Sequence, residues 1–151
     1  MKIYKLRSAV YISDKDQNYL LPVADWDHFI NDDNLFQKLS DFLRSGRATK
    51  TNGLNETDIM APIGSQELWA CGVTYLRSKI GRQEESKSSG GADFYAMVYE
   101  AERPEVFFKA TAHRVVGHKA KVVIRKDSTW DVPEPELTVV VSSSGKLEGY
   151  T

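Results

Sequence analysis

The sequence predicts an α+β fold in which a small N-terminal α+β domain precedes a β-rich domain. Short apolar runs with the period of β-strands fill residues 2–21, and a helical period replaces them up to Arg44. Strand-like runs dominate again after residue 105. The polar stretch 45–58 breaks both periods, so we predict two domains, 1–61 and 62–151.

The N-terminal domain is predicted to be an antiparallel meander that packs against helices. Polar turn residues separate the apolar runs of the first 21 residues, and the residues from Trp26 to Ile30 predict a first helical turn. Asp32 or Asp33 is expected to cap the next helix, and Gly46 is expected to end it. The apolar residues of that helix share one face: Leu35, Phe36, Leu39, Phe42 and Leu43.

The second domain is predicted to open with a buried strand at 68–73, which a charged helix at 75–86 follows. The serine- and glycine-rich stretch 88–91 offers little resistance to movement. Residues 142–145 are expected to form a hairpin turn. Further strands are predicted at 106–109, 115–116, 121–125 and 137–141.

Composition and charge narrow the classes of partner. The 151 residues carry a formal net charge of -1 at pH 7, which argues against the broad basic surface that nucleic acid or an acidic membrane requires. The single cysteine, Cys71, cannot form an internal disulfide. Because the N-terminus is charged and no apolar run has the length of a membrane span, we expect a cytoplasmic protein.

Glu134 and Glu136 form the most informative pair in the sequence. If segment 130–137 is a strand, both carboxylates lie on one face, and like charges so close together require a cation. The prolines at 133 and 135 stiffen the backbone and favour a sheet edge or a bulge. Hard oxygen ligands suit Mg²⁺, Mn²⁺ or Ca²⁺. Taken alone, such a pair is more often the solvated face of a strand.

Three motifs provide a context for this pair. Segments 69–78, 102–110 and 132–137, in this order and spacing, resemble the fumarylacetoacetate hydrolase superfamily. The resemblance covers residues 62–151 and is closest to members similar to 2-keto-3-deoxy-D-arabinonate dehydratase. It implies that the second domain is the first part of a mixed β-roll of the fumarylacetoacetate hydrolase type.

The resemblance also implies a metal site. In this family a Glu-x-Glu pair and a downstream aspartate hold a Mg²⁺ that chelates a 2-oxo acid, and the pair corresponds to Glu134 and Glu136. The aspartate would lie beyond Thr151, so we expect the N-terminal part of a longer protein, with little activity alone. Glu148 is the one later acid and is expected to be a solvated charge. The full-length protein is expected to be a homo-oligomer.

Two other segments contain candidate site residues. Tyr75, Arg77 and Ser78 resemble the start of the family's lid, which meets the substrate and, as segment 75–91, is predicted to close over it. Lys109 resembles a lysine beside the family's active cleft, where it can neutralise substrate charge. Glu105, just upstream, is a candidate proton acceptor. For each residue the alternative is an exposed side chain without a catalytic role.

Ser78 occupies the position at which hydrolase and decarboxylase members of the superfamily carry a histidine. Without that base a lyase is favoured, and the resemblance implies Mg²⁺-dependent dehydration of a 2-keto-3-deoxy sugar acid through a metal-stabilised enolate. One alternative is an acylpyruvate-type hydrolase or oxaloacetate-type decarboxylase. A second is a non-catalytic fragment. The predicted partner of the enzyme is a small 2-oxo acid.

Overall fold

The computed structural model describes residues 1–87, 90–131 and 133–151. Helices and strands mix along the chain, which confirms the predicted α+β class. The chain divides into two compact units, one made of Met1–Gln66 with Ala112–Thr151 and the other of Glu67–Thr111. The domains 1–61 and 62–151 stay a prediction. The two serines of the predicted hinge at 88–91 lie outside the described residues.

The described residues form eight strands and four α-helices. The strands are β1 (Lys2–Lys5), β2 (Ala9–Asp14), β3 (Gln17–Pro22), β4 (Thr49–Lys50), β5 (Glu67–Cys71), β6 (Val106–Thr111), β7 (Val139–Val141) and β8 (Leu147–Tyr150). The helices are α1 (Trp26–Ile30), α2 (Leu35–Arg44), α3 (Leu76–Ser86) and α4 (Ala92–Glu100). None of these helices combines the length and the apolar composition that crossing a bilayer requires.

An antiparallel sheet with the strand order β1-β2-β3-β4 forms the N-terminal layer. It confirms the predicted meander, to which the structure adds the short strand β4, paired with Tyr19 and Leu20. Val10 and Ile12 are fully buried, since alternate residues of β2 point to the same face of the sheet. This face is the hydrophobic core of the first unit.

Leu35 and Leu39 of α2 complete that core because they lie one turn apart on the same side of the helix. The expectation that Asp32 or Asp33 caps α2 is wrong. The N-cap is Asn34, whose side chain makes no capping hydrogen bond within the described structure. Asp32 instead accepts a hydrogen bond from the backbone N–H of Asn34 at 3.0 Å.

The start of α1 and the end of α2 follow local sequence signals. Asp25 caps α1 by accepting a hydrogen bond from the backbone N–H of His28 at 3.0 Å. Gly46, with φ of +72°, follows the end of α2 as predicted, in the left-handed region that favours glycine. The chain therefore enters α1 and leaves α2 at residues whose chemistry suits those positions.

The second unit contains the two-stranded antiparallel sheet β5–β6 and the helices α3 and α4. The strands predicted at 68–73 and 106–109 and the helix predicted at 75–86 are confirmed. The structure adds α4, whose apolar residues lack a clear helical period. Trp69 is 57% exposed, so β5 is not the buried strand that was expected. A sheet of two strands has a small face, so little of its apolar surface can be buried.

Two predicted strands are wrong. Residues 115–116 follow a 3₁₀ turn at Ala112–Arg114, and residues 121–125 are irregular. The β-branched side chains of 121–125 favour a strand, but no described strand pairs with them, and a strand requires a hydrogen-bonding partner. Val123 is therefore 99% exposed.

β7 and β8 form the hairpin that the sequence predicts around residues 142–145. Gly145 occupies the turn with φ of +87°, a conformation that residues with a Cβ rarely adopt. A β-bulge interrupts the pairing, with Val140 opposite Gly149 and Val141 opposite Leu147. Glu148 is thus the extra residue of the bulge.

Candidate functional site

Glu134 and Glu136 lie in an irregular, exposed segment that precedes β7. The predicted strand therefore does not extend to the pair, and β7 begins only at Val139. Thr138, two residues after Glu136, is held in the hairpin because its backbone exchanges two hydrogen bonds with Thr151 at 3.0 and 2.9 Å. Val132, in the same motif, lies outside the described residues. The pair stands two residues before a well-anchored backbone position.

The chemistry of this donor set fits a hard divalent cation. Two exposed carboxylates, one residue apart, offer up to four oxygen donors without the desolvation that burial would require. In the described part of the chain, no three His, Cys, Asp or Glu side chains gather closely enough to hold a metal. Glu134 and Glu136 would thus supply only part of an octahedral coordination shell.

The connection from β5 to α3 and the first turn of α3 contain three candidate residues, Tyr75, Arg77 and Ser78. Tyr75 is the N-cap of α3 and is 41% exposed, and the other two belong to the first helical turn. Val73, just before them, has φ of +47°, which is strained for a β-branched residue. Strained backbone of this kind is found disproportionately at functional sites.

Glu105 lies against the turn that leads to Tyr75. Its backbone carbonyl accepts a hydrogen bond from the N–H of Gly72 at 2.8 Å. A Cβ atom built on Gly72 would lie 3.3 Å from Glu105 Oε2, so the carboxylate lies beside this turn. The structure therefore brings the candidate proton acceptor to the start of the predicted lid.

Lys109 is the extra residue of a β-bulge in β6, since Trp69 lies opposite Phe108 while Leu68 lies opposite Ala110. A bulge changes the direction of a side chain relative to the regular pleat and is common beside active sites. Lys109 is exposed, and its Nζ lies 5.7 Å from the centre of the Phe107 ring. Its ammonium group is thus accessible to an anionic ligand.

The candidate site residues fall into two sets, one in each of the two compact units. Glu134 and Glu136 are in the first unit, whereas Tyr75, Arg77, Ser78, Glu105 and Lys109 are in the second. The predicted cleft that would join the two sets stays a prediction.

Glu148 differs from its sequence-based interpretation. We expected a solvated charge, and this is wrong, since the side chain is only 4% exposed. Its Oε1 accepts no hydrogen bond from the described residues, and Lys146 Nζ lies 3.8 Å away. The bulge explains the burial because it reverses the direction that strand alternation assigns to this side chain.

Comparison with known proteins gives curated relatives that share more than half of this chain. Over 103 residues the chain is 44% identical to 2-dehydro-3-deoxy-D-arabinonate dehydratase of Saccharolobus solfataricus. These aligned residues make up 68% of this chain and 35% of the relative. Over 90 residues it is 50% identical to a probable 2-keto-3-deoxyxylonate dehydratase of Haloferax volcanii, covering 60% of this chain and 30% of the relative. No family model matches the sequence.

Solved structures agree with these relatives. A hexagonal crystal form of 2-keto-3-deoxyarabinonate dehydratase superposes with a TM-score of 0.65 at 29% identity, over 98% of this chain and 53% of that one. The predicted resemblance is confirmed. A second dehydratase structure, complexed with magnesium and 2,5-dioxopentanoate, gives a TM-score of 0.61 at 28% identity, over 98% of this chain and 52% of the dehydratase. The chain spans about a third of the curated dehydratases and about half of the solved ones.

Proposed function

We propose that this chain belongs to a Mg²⁺-dependent lyase that removes water from a 2-keto-3-deoxy sugar acid of the arabinonate type. The observation that carries the proposal is the identity of 44% over 103 residues with a 2-dehydro-3-deoxy-D-arabinonate dehydratase. A probable 2-keto-3-deoxyxylonate dehydratase at 50% identity supports the same class of substrate, a five-carbon 2-oxo acid with a deoxygenated C3.

Glu134 and Glu136 are the proposed ligands of the metal ion. Their oxygen donors and their exposure suit Mg²⁺, with Mn²⁺ or Ca²⁺ as substitutes, and a related dehydratase has been solved with magnesium. When bound, the ion supplies Lewis-acid polarisation of the substrate's 2-oxo group, which makes the C3 protons more acidic.

The proposed acid–base chemistry belongs to the second unit. Glu105 accepts a proton from C3, and the hydroxyl group of C4 leaves with a proton as one molecule of water, which forms a C3=C4 double bond. Loss of a proton from C5 and return of a proton to C3 then give an enol, which tautomerises to the C5 aldehyde, so no oxidant or reductant is needed. Its contact with the turn at Gly72 supports this role because the turn leads directly to Tyr75. A bound carboxylate would be neutralised by Lys109.

Tyr75, Arg77 and Ser78 are proposed to bind the polar groups of the substrate. They lie at the start of α3, where hydroxyl and guanidinium groups can add to the backbone N–H groups that the first helical turn leaves without an intrahelical partner. A sugar acid presents hydroxyl and carboxylate oxygens, which such donors recognise. Ser78 also replaces the histidine that hydrolytic members use, which favours dehydration over hydrolysis.

The test is turnover of 2-keto-3-deoxy-arabinonate by the whole protein with Mg²⁺, followed by detection of the aldehyde of 2,5-dioxopentanoate. We expect dehydratase activity that disappears when the metal is chelated. We also expect Glu134→Gln and Glu136→Gln each to lower the rate about a hundredfold or more. Asp16→Asn, which changes an exposed carboxylate in the turn between β2 and β3, is the matched control. Turnover of an acylpyruvate or of oxaloacetate, without turnover of the sugar acid, would overturn the proposal.

We also propose that the whole protein acts in the cytoplasm as a homo-oligomer and binds neither nucleic acid nor membranes. The net charge of -1 supports the second statement because no excess of basic residues is available. Light scattering on the whole protein tests the oligomer, and a monomer at working concentration would contradict it.

A further inference from the structure

The turn between β7 and β8 is held by its own hydrogen bonds. The backbone N–H of Ser142 donates to the carbonyl of Lys146 at 2.8 Å, and the N–H of Gly145 donates to the carbonyl of Ser142 at 2.9 Å. The hydroxyls of Ser142 and Ser144 are 2.9 Å apart, and Ser142 is buried. These hydrogen bonds define the conformation of the turn.

This turn is docked on the segment between α1 and α2. Asn31 makes two hydrogen bonds with Ser143: its Oδ1 accepts from the backbone N–H at 2.7 Å, and its Nδ2 donates to the hydroxyl at 3.1 Å. Ser144 donates its hydroxyl hydrogen to Asp33 Oδ2 at 2.7 Å. We call these four residues, Asn31, Asp33, Ser143 and Ser144, the hairpin clamp.

The clamp holds an ionised carboxylate. Hydrogen bonds from the hydroxyls of Ser144 and Ser142 hold the pKa of Asp33 below its usual range, and the positive charge of Lys146 acts in the same direction. A charged acceptor makes a stronger hydrogen bond than a neutral one. Asp33 also cannot serve as the helix cap predicted for it, because its carboxylate binds the hairpin instead.

A short, paired stretch of backbone connects the clamp to the candidate metal ligands. β7 ends at Val141, directly before the turn, and its other end is closed by the two hydrogen bonds between Thr138 and Thr151. Glu136 lies two residues before Thr138, and Pro135 restricts the backbone torsions between Glu134 and Glu136. The position of the turn therefore determines the point at which the segment with Glu134 and Glu136 joins the hairpin.

We propose that Asn31 and Asp33 are positioning residues for Mg²⁺ binding by Glu134 and Glu136. The inference rests on the proposed function, since it requires that these two glutamates bind the ion. The N-terminal layer thus contributes to the metal site without supplying a ligand. The hairpin clamp fixes the position of the hairpin, and the hairpin in turn fixes the position of the two carboxylates. A change in the position of the hairpin would therefore move the carboxylates with it.

The experiment is calorimetric titration of the whole protein with Mg²⁺, at a temperature at which circular dichroism shows every variant folded. We expect the Asn31→Ala, Asp33→Ala double variant to bind Mg²⁺ about tenfold more weakly, as for other residues that orient metal ligands. Asp33→Asn, which keeps an acceptor oxygen for Ser144, should recover most of the affinity. Asn34→Ala is the matched control, because this neighbouring side chain makes no capping bond to the described residues.

Ser144→Ala provides a second variant from the hairpin side, in case the double variant does not fold. It removes only the hydroxyl that binds Asp33, and we expect it to weaken Mg²⁺ binding by a few-fold, about 1 kcal/mol or less. Hydrogen exchange at Thr138 should also become faster in both variants than in the control.

The outcomes separate this inference from the proposed function. If the unchanged protein binds Mg²⁺ and the clamp variants bind it with the same Kd, the positioning role is overturned while the metal site stands. If the unchanged protein does not bind Mg²⁺, both are overturned. A loss of thermal stability without a change in Kd would show that the clamp is merely structural.

Discussion

The four-stranded sheet with α1 and α2 and the two-stranded sheet β5–β6 differ in how much of their apolar surface is buried. Val10 and Ile12 of the first sheet are fully buried against α2. In the second sheet Phe107 and Phe108 remain 41% and 48% exposed. Buried area determines local stability, so the first region should hold the chain together, while the second presents reactive side chains on a weakly stabilised surface.

The sharpest test of this comparison is a pair of truncations in the two sheets. We expect Ile12→Ala to lower the free energy of unfolding by about 2–5 kcal/mol, since it removes packed methylene groups and leaves a cavity. Phe108→Ala should cost about 1 kcal/mol or less because half of the ring is already in water. Urea denaturation followed by circular dichroism measures both. Equal losses would contradict the comparison.

A second prediction concerns the way the first unit holds residues 63–66. A Cβ on Gly64 would lie 1.6 Å from Asp27 Oδ1, and that carboxylate is held by the backbone N–H of Ser65 at 2.9 Å and by Gln66 Nε2 at 2.9 Å. Gly64→Ala must break part of this network and should destabilise the protein by about 1–3 kcal/mol. The control is Gly53→Ala, whose Cβ would meet no described atom within 4 Å. An unchanged unfolding midpoint in Gly64→Ala would show that Asp27 is not fixed.

A smaller effect is expected from pH. Hydrogen bonds from Ser65 and then Gln66, together with the charge of Lys5, hold the pKa of Asp27 below its usual value. A lowered pKa in the folded state stabilises the fold above the ordinary pKa of about 4, and this contribution is lost as pH falls through the folded-state value. Stability should therefore decrease below about pH 4, and less steeply in Asp27→Asn. Identical slopes in the two proteins between pH 5 and pH 3 would refute this role.

Local signals in the sequence predict the elements whose partners are close in the chain. The meander, α2 and the β7–β8 hairpin are confirmed because each depends on a period or a turn within a few residues. Residues 121–125 show the limit of this reasoning. Their strand propensity is real, but a strand also needs an edge to pair with, and propensity does not reveal whether one exists.

The candidate site shows the same limit. Glu134 and Glu136 are recognised from sequence because they are close together in a motif. The bulges at Lys109 and Glu148 arise from the register between strands, and this register is not written in either strand alone. Asn31 and Ser143 are 112 positions apart, so only the folded chain reveals the clamp.

Glu134 is an exposed residue that should matter for metal binding and little for stability. The decisive measurement is the Mg²⁺ Kd of Glu134→Gln beside its free energy of unfolding in the absence of metal. We predict a Kd at least about tenfold weaker, since one charged ligand is lost, and an unfolding free energy within about 0.5 kcal/mol of the unchanged protein. An unchanged Kd would contradict the assignment of the metal site.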